Sequence, residues 1–322
     1  MRILVTGAGG FIGSHLSERL VRDGHDVRAF VRYNSSSSWG WLEESDLRRD
    51  MEIVSGDIRD MDCVSSAVAG ADAVFHLAAL IGIPYSYRSP LAYIKTNVEG
   101  SYNVLEACRH AEVSRVVHTS TSEIYGTAQY VPIDESHPVN PQSPYAASKS
   151  AADQLAISYH RSFGTPVSVV RPFNTYGPRQ SARAVIPTIA SQLLAGKKEI
   201  KLGSLTPTRD LNFVTDTADG FIKIGLHDES LGRVTNLGTG LEISVGDLAR
   251  KIAKIVGTEA VIVCDESRLR PANSEVERLC SDASLARSLG WRPNVSLTDG
   301  LSATIDWIRR NAGRFKTDVY AV

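Results

Sequence analysis

Little in this chain points to an exported, membrane-spanning or nucleic-acid-binding protein. Its four cysteines, Cys63, Cys108, Cys264 and Cys280, make none of the close pairs used for metal or redox work. They read as reduced packing residues. No apolar run is long enough to span a bilayer. The chain enters its first apolar run at Arg2 without a charged-then-apolar leader, so a cytoplasmic location is expected. Without a secretory route, the glycosylation patterns at Asn34-Ser35-Ser36 and Asn294-Val295-Ser296 carry no weight. A formal net charge of -1 gives no basic excess for a nucleic acid. No cluster of His, Cys and carboxylates has metal spacing, so no metal is expected. No internal repeat or low-complexity linker divides the chain, and Ser35 to Ser38 reads as a loop.

What is present is a chain of 322 residues, 43% hydrophobic, long enough to bury a full α/β core with a smaller second lobe. Apolar runs alternate with helical patterns. Arg2 to Thr6, Asp26 to Val31, Met51 to Val54, Ala73 to Leu77, Arg115 to Thr119 and Val167 to Val170 read as strands, which predicts a parallel, doubly wound sheet. Ligands bind past the C-terminal ends of such strands, where Gly7, Asp57, Ala78 and Thr121 fall. From Gly177 onward the order is irregular, with helices predicted over 244–256 and 297–311.

The first run ends in Gly7-Ala8-Gly9-Gly10-Phe11-Ile12-Gly13 and continues into a helical pattern. Read as G-x-G-x-x-G from Gly7, the last position falls on Ile12 and fails. Read as G-x-x-G-x-x-G, it gives Gly7, Gly10 and Gly13. Such a turn aims backbone N–H groups and the positive end of a helix at a pyrophosphate, and a Cβ would block the approach. Further on, Thr119-Ser120-Thr121-Ser122-Glu123 precedes Tyr145-Ala146-Ala147-Ser148-Lys149. A Tyr and a Lys four residues apart on a helix face the same way. A free phenol titrates near ~10, and bringing it to neutrality takes about 4 kcal/mol, which one cation at ~4 Å supplies at an effective dielectric of ~20. Lys149 is therefore expected to lower the Tyr145 phenol and make it a base.

Further segments are Gly56-Asp57-Ile58, His76-Leu77-Ala78-Ala79, Asn97-Val98-Glu99-Gly100, Arg171-Pro172-Phe173-Asn174-Thr175-Tyr176-Gly177-Pro178 and Arg209-Asp210-Leu211-Asn212-Phe213-Val214-Thr215-Asp216. With the glycine turn and the Tyr145/Lys149 pair, they resemble the extended short-chain dehydrogenase/reductase family, in particular its nucleotide-sugar epimerases and dehydratases, along nearly the whole chain. The resemblance implies an enzyme with a Rossmann-type α/β domain over 1–176 and roughly 212–237, and a substrate-binding lobe over 177–211 and 238–322. It also implies a homodimer built on the Tyr145 helix, where Ala146, Ala147, Ala151 and Ala152 would permit close helix approach. A tightly bound, recycled nicotinamide cofactor is implied, held by Gly7, Gly10, Phe11, Ile12, Gly13, Arg32, Asn34, Asp57, Ile58, Leu77, Ala78, Ala79, Asn97, Thr119, Tyr145 and Lys149.

At the end of the second strand, Ala29-Phe30-Val31-Arg32-Tyr33-Asn34-Ser35 offers no acid to accept ribose hydroxyls. Arg32 is the candidate clamp for a 2′-phosphate, and the run is similar to that of NADP-using GDP-mannose dehydratases. NADP is expected, with NAD held by backbone groups as the alternative.

The resemblance further implies that Thr121 holds a sugar hydroxyl and Tyr145 takes its proton while hydride leaves the same carbon, giving a ketosugar. Removing the proton beside that ketone asks for a base, and Glu123 stands where resembling dehydratases carry their glutamate. Ser122 replaces the aspartate that better-known dehydratases place before it. Either Glu123 acts as base and then acid, or a water held by Ser122 relays the proton. Ser122-Glu123 is similar to dehydratases of nucleotide-activated N-acetylglucosamine of the legionaminic-acid type. The expected reaction is 4,6-dehydration of UDP- or GDP-N-acetylglucosamine. The alternatives are 4-epimerisation of UDP-N-acetylglucosamine or UDP-glucose, decarboxylation of UDP-glucuronate, and a non-catalytic dinucleotide sensor. By resemblance Asn174, Arg209 and Arg270 hold the diphosphate and Arg179 also meets the substrate. Tyr85 and Tyr87, after the Ala79-Leu80-Ile81-Gly82 loop, are candidates to flank the sugar and its acetamido group, with packing in the loop as the alternative. Glu275 receives no role, and His76 reads as a core histidine.

Overall fold

Every residue from Arg2 to Thr6 is a strand residue, and this strand lies inside the main sheet of a computed structural model that describes residues 1–317. The strands are β1 Arg2–Thr6, β2 Asp26–Arg32, β3 Met51–Gly56, β4 Ala73–His76, β5 Arg115–Thr119, β6 Val167–Pro172, β7 Asn174–Tyr176, β8 Glu199–Leu202, β9 Thr208–Phe213, β10 Val234–Leu237, β11 Glu242–Ser244, β12 Val261–Cys264 and β13 Arg278–Leu279. Seven of them form one sheet in the order β10-β6-β5-β4-β1-β2-β3, parallel throughout. That is the doubly wound, Rossmann-type arrangement. The six predicted runs are all strands of this sheet. The seventh, β10, escaped the hydrophobic pattern because its Thr235 and Asn236 are polar yet fully buried.

Side chains alternate across a strand, so Ile3 and Val5 enter one core while Leu4 enters the other. The helices Phe11–Arg22 and Val214–Gly225 cover the first face, and Met61–Val68, Gly100–His110 and Pro144–Phe163 cover the second. Burying a side chain such as Leu4 contributes about 1.5–3 kcal/mol. The packing reading of the cysteines holds for Cys108 and Cys280, which are buried, whereas Cys264 is exposed.

A second, smaller sheet is organised on β9, which pairs with β7, β11 and β13 and packs under the helices Val185–Leu194, Val245–Val256 and Leu297–Arg310. Ser244 and Ser296 are N-caps, accepting from the backbone N–H of Asp247 and Asp299 at 3.0 and 3.2 Å. The long helix Pro144–Phe163 is set by Ser143 as its cap, Pro144 in its first turn and the left-handed Gly164 beyond its end. Along β9, the Asp210 carboxylate accepts from the backbone N–H groups of Thr239, Gly240 and Ser281. Its neighbour Arg209 is thereby left for the opposite side, where the cleft lies. Among the described residues no helix is long and apolar enough to cross a membrane.

Candidate active site

A cleft of ≈1030 Å³ runs from the glycine turn along the C-terminal strand ends to β9 and β11. Gly7 has φ +73°, and a Cβ there would lie 2.9 Å from the Ala78 nitrogen. At Gly13 a Cβ would lie 2.2 Å from the Gly7 carbonyl oxygen. The first contact seats the turn against the backbone just past β4, and the second lets the helix Phe11–Arg22 close down on the turn. Gly10 is its N-cap without a side chain, and its first turn has no acid, so the N–H groups there suit an anion.

Arg32, Asn34, Asp57 and Ile58 line the same end, and Leu77, Ala78 and Ala79 form its wall. Arg32 is exposed and makes no ion pair among the described residues. Asn34 shapes the loop instead: its Oδ1 accepts from the N–H groups of Ser36 and Ser38, and its Nδ2 donates to the Ser38 oxygen at 2.8 Å. Asp57 is gripped by the Arg59 guanidinium, which holds its carboxyl below the ordinary range. No motif announced the Trp39-Gly40-Trp41 segment, whose Trp41 N–H donates to the Gly9 oxygen at 3.0 Å and lays this loop over the glycine turn.

Deeper in, Thr121, Glu123, Tyr145 and Lys149 share the cleft wall. The expected lowering of the Tyr145 phenol by Lys149 is not met. Burial raises the phenol above its ordinary value, outweighing the hydrogen bond from Thr121, and the Glu123 charge adds to the rise. The physical reason is that burial disfavours the charged phenolate and the nearby Glu123 and Asp153 charges disfavour it further. Lys149 donates to the Thr119 oxygen at 2.6 Å, and burial pushes its ammonium down to about 8 against the opposing pull of Asp153.

Four charges meet at the far end. Glu275 receives Arg209 Nη2 at 3.3 Å and Arg270 Nη1 at 3.5 Å, and Arg270 also approaches Glu123 Oε2 at 3.9 Å. Asn174 lines the cleft beside them, with Tyr85 at its rim. Glu275 therefore belongs to the site, although its spacing from Arg270 gave no signal. Gln180 and Arg183, which also line the cleft, were missed as well.

Several expected residues are elsewhere. Arg179 is ion-paired with Glu18 at 2.8 Å and bonded to Ser14, tying its loop to the helix Phe11–Arg22 rather than facing the cleft. Tyr87 is bonded to Ser274 at 2.7 Å and packs with Ile83 and Tyr93, away from the cleft wall. Asn97 has its amide engaged by the Leu80 backbone and by Ser148 at 2.9 Å, so it fastens the loop after β4 to the Tyr145 helix. Ser122 is buried off the wall, which removes the ground for a water relay through its hydroxyl. Ala146 and Ala152 are buried within their own subunit, leaving Ala147 and Ala151 as the exposed small residues of that helix.

A dinucleotide fits this cleft on two grounds. The glycine turn is a cradle that side chains would fill. Also, Thr119 Oγ1, Asn174 Oδ1 and Gln180 Oε1 line the cleft as buried polar atoms without a hydrogen-bond partner, the mark of groups awaiting a ligand. An oxidised nicotinamide, when bound, supplies a hydride acceptor and a ring charge that favours a buried phenolate.

The fold and site thus define a nicotinamide-dependent enzyme of the Rossmann-type short-chain dehydrogenase/reductase class. Residues 4–304 match the family described as GDP-mannose 4,6 dehydratase, and the chain belongs to that family of nucleotide-sugar dehydratases and epimerases. It is 37% identical to the UDP-glucose 4-epimerase of Mycolicibacterium smegmatis over 97% of this chain and 100% of that one. It is 35% identical to the dTDP-glucose 4,6-dehydratase of Streptomyces niveus over 97% and 94%. Among solved structures, the dTDP-glucose 4,6-dehydratase of Streptomyces venezuelae with NAD and TYD bound superposes with a TM-score of 0.87 at 32% identity, covering 98% of this chain and 99% of the other.

Proposed function

We propose that the chain is a nucleotide-sugar 4,6-dehydratase that uses NADP and converts UDP- or GDP-N-acetylglucosamine to the 4-keto-6-deoxy sugar. The observation that carries the reaction is Glu123, a carboxylate in the cleft wall whose charge reaches the Tyr145 phenol. In this reading Thr121 holds the C4 hydroxyl and Tyr145 takes its proton. Once C4 is a ketone the C5 proton is acidic, and Glu123 removes it. With Ser122 off the wall, the same carboxyl returns that proton to the departing C6 hydroxyl. The hydride that a bound nicotinamide would have taken from C4 would return to C6 while a solvent proton is taken up at C5, completing the 4-keto-6-deoxy sugar. Leu80, Ile81 and Ile83 with Tyr85 give an apolar wall that suits an acetamido methyl. Arg209 and Arg270 offer bidentate donors for the diphosphate. Arg32 supports NADP, since its guanidinium is exposed at the ribose end with no ion pair among the described residues. The substrate lobe is taken as 177–211 and 238–322.

The test is mass spectrometry of UDP- and GDP-N-acetylglucosamine after incubation with the enzyme in heavy water. Loss of one water with deuterium gained at C5 supports the dehydratase. A second reading, 4-epimerisation of UDP-N-acetylglucosamine or UDP-glucose, is favoured by the name carried by the Mycolicibacterium smegmatis relative, a UDP-glucose 4-epimerase. In that reading Glu123 is a structural carboxylate, as its 3.9 Å approach to Arg270 allows. Unchanged mass with an altered sugar configuration would establish that reading instead.

A homodimer is part of the proposal. Leu91, Ile94, Tyr102 and Phe163 are 60%, 53%, 42% and 57% exposed on or beside the helices Gly100–His110 and Pro144–Phe163. Light scattering that returned a monomer would remove it.

A further inference from the structure

Behind Lys149 the protein buries an anion that neither hydride transfer nor ligand contact accounts for. Asp153 stands one helical turn beyond Lys149, is 1% exposed and does not line the cleft. Leaving a carboxylate uncompensated at such a place would cost several kcal/mol. Two groups compensate it at Oδ2: the Ser120 hydroxyl, just past β5, donates to it, and Arg171 Nη2 on β6 lies 3.1 Å away, while His118 Nε2 lies 3.2 Å from Oδ1 without a hydrogen bond. Arg171 in turn donates to the Tyr125 oxygen at 2.6 Å, and Tyr125 donates to Asn236 Oδ1 at 2.8 Å. The carboxylate is thus anchored across β5, β6 and β10.

The titratable groups facing Lys149 are His76 on β4, His118 on β5, and Asp153 and Tyr145 on its own helix, with Arg171 on β6 behind Asp153. Burial holds both histidines below their ordinary value and hence neutral. Asp153 is then the charge that favours the ammonium, while Arg171 screens it from the other side.

We propose that Asp153 is a positioning residue for the Tyr145/Lys149 pair: its fixed carboxylate keeps Lys149 an ammonium seated on the Thr119 oxygen, in a pocket that would otherwise strip the proton. This rests on the reading of Tyr145 and Lys149 as the proton-handling pair, which dehydratase and epimerase share, and not on the choice between them.

The experiment follows the pH profile of sugar oxidation in single turnover, read from the absorbance of the reduced nicotinamide, in the full-length enzyme. Asp153→Asn is expected to move the alkaline limb down by at least about one unit, a loss of about tenfold at pH about 8 that shrinks as the pH is lowered. The KM for the sugar nucleotide stays unchanged. Arg171→Gln, which removes the screening cation, is expected to move the same limb up. Arg171→Lys keeps the charge and leaves the limb near its wild-type position. A limb that stays put in whichever of Asp153→Asn and Arg171→Gln folds, or a loss uniform at every pH, overturns the proposal. Full activity in Tyr145→Phe would instead sink the underlying reading of the pair.

Discussion

Glu123 Oε2 and Arg270 Nη1 meet across the cleft at 3.9 Å, and Glu275 holds the same guanidinium at 3.5 Å from another side. A diphosphate arriving at Arg209 and Arg270 must compete with these carboxylates for the same donors. Arg270→Met is therefore expected to weaken binding of the nucleoside diphosphate by about 1.5–3 kcal/mol, the range for a hydrogen bond to a charged group. Glu275→Gln, which releases both arginines, is expected to tighten it. Titration calorimetry with UDP and GDP checks both. Equal weakening in the two variants would mean that Glu275 orients the arginines rather than competing for them.

Glu123→Gln separates the two halves of the proposed reaction. Oxidation at C4 needs Thr121, Tyr145 and Lys149, whereas water loss needs a base beside the ketone. The variant should still reduce its cofactor on mixing with substrate. Its dehydration rate should fall by about 10²–10⁴, the range for a general acid–base group. Dehydration at the wild-type rate would return Glu123 to a structural carboxylate.

In the proposed reading, cofactor choice hangs on Arg32. The guanidinium is exposed at the ribose end, and Asp57 nearby is already taken by Arg59. Arg32→Asp should move preference from NADP to NAD, because a carboxylate repels a 2′-phosphate and accepts the ribose hydroxyls. Dissociation constants for both dinucleotides decide this. A wild-type enzyme that binds NAD more tightly, with Arg32→Asp leaving the ratio unchanged, would make Arg32 a solvated loop charge.

The sequence was most legible where one residue type answers to one physical demand. Gly7 and Gly13 sit where a Cβ meets backbone, and alternation or continuous apolar runs marked six strands of the main sheet. It was least legible where side chains meet over long separations. Glu275 reaches Arg209 and Glu18 reaches Arg179, contacts that no local pattern encodes. Arg179 and Asn97 looked like ligand groups because they are polar and lie in recognisable segments, yet their hydrogen bonds hold loops. The Tyr145 phenol was misread for a different reason: spacing revealed the cation beside it but not the depth of burial, and burial is the larger effect.

Acid should weaken the fold earlier than buried carboxylates alone would make it do. Burial and the Arg179 charge lower His15 from its ordinary 6.5 to about 4, with Nε2 on the Pro178 oxygen at 3.1 Å. His76 and His118 are lowered in the same direction by burial. A histidine depressed in the native state leaves the unfolded chain binding more protons. Its contribution is therefore complete above about pH 6.5 and is lost as the pH falls, for His15 through about 4. Asp153, lowered from 3.8 to about 2, contributes above 3.8 and loses that only toward about 2. Unfolding free energy from denaturant titration should thus decline from about pH 6.5 downward, with His15 accounting for about 3 kcal/mol across its window. His15→Gln, which cannot take the proton, should flatten the decline between about pH 6.5 and 4. An unchanged slope in that variant would mean that native His15 accepts the proton as readily as the unfolded chain does.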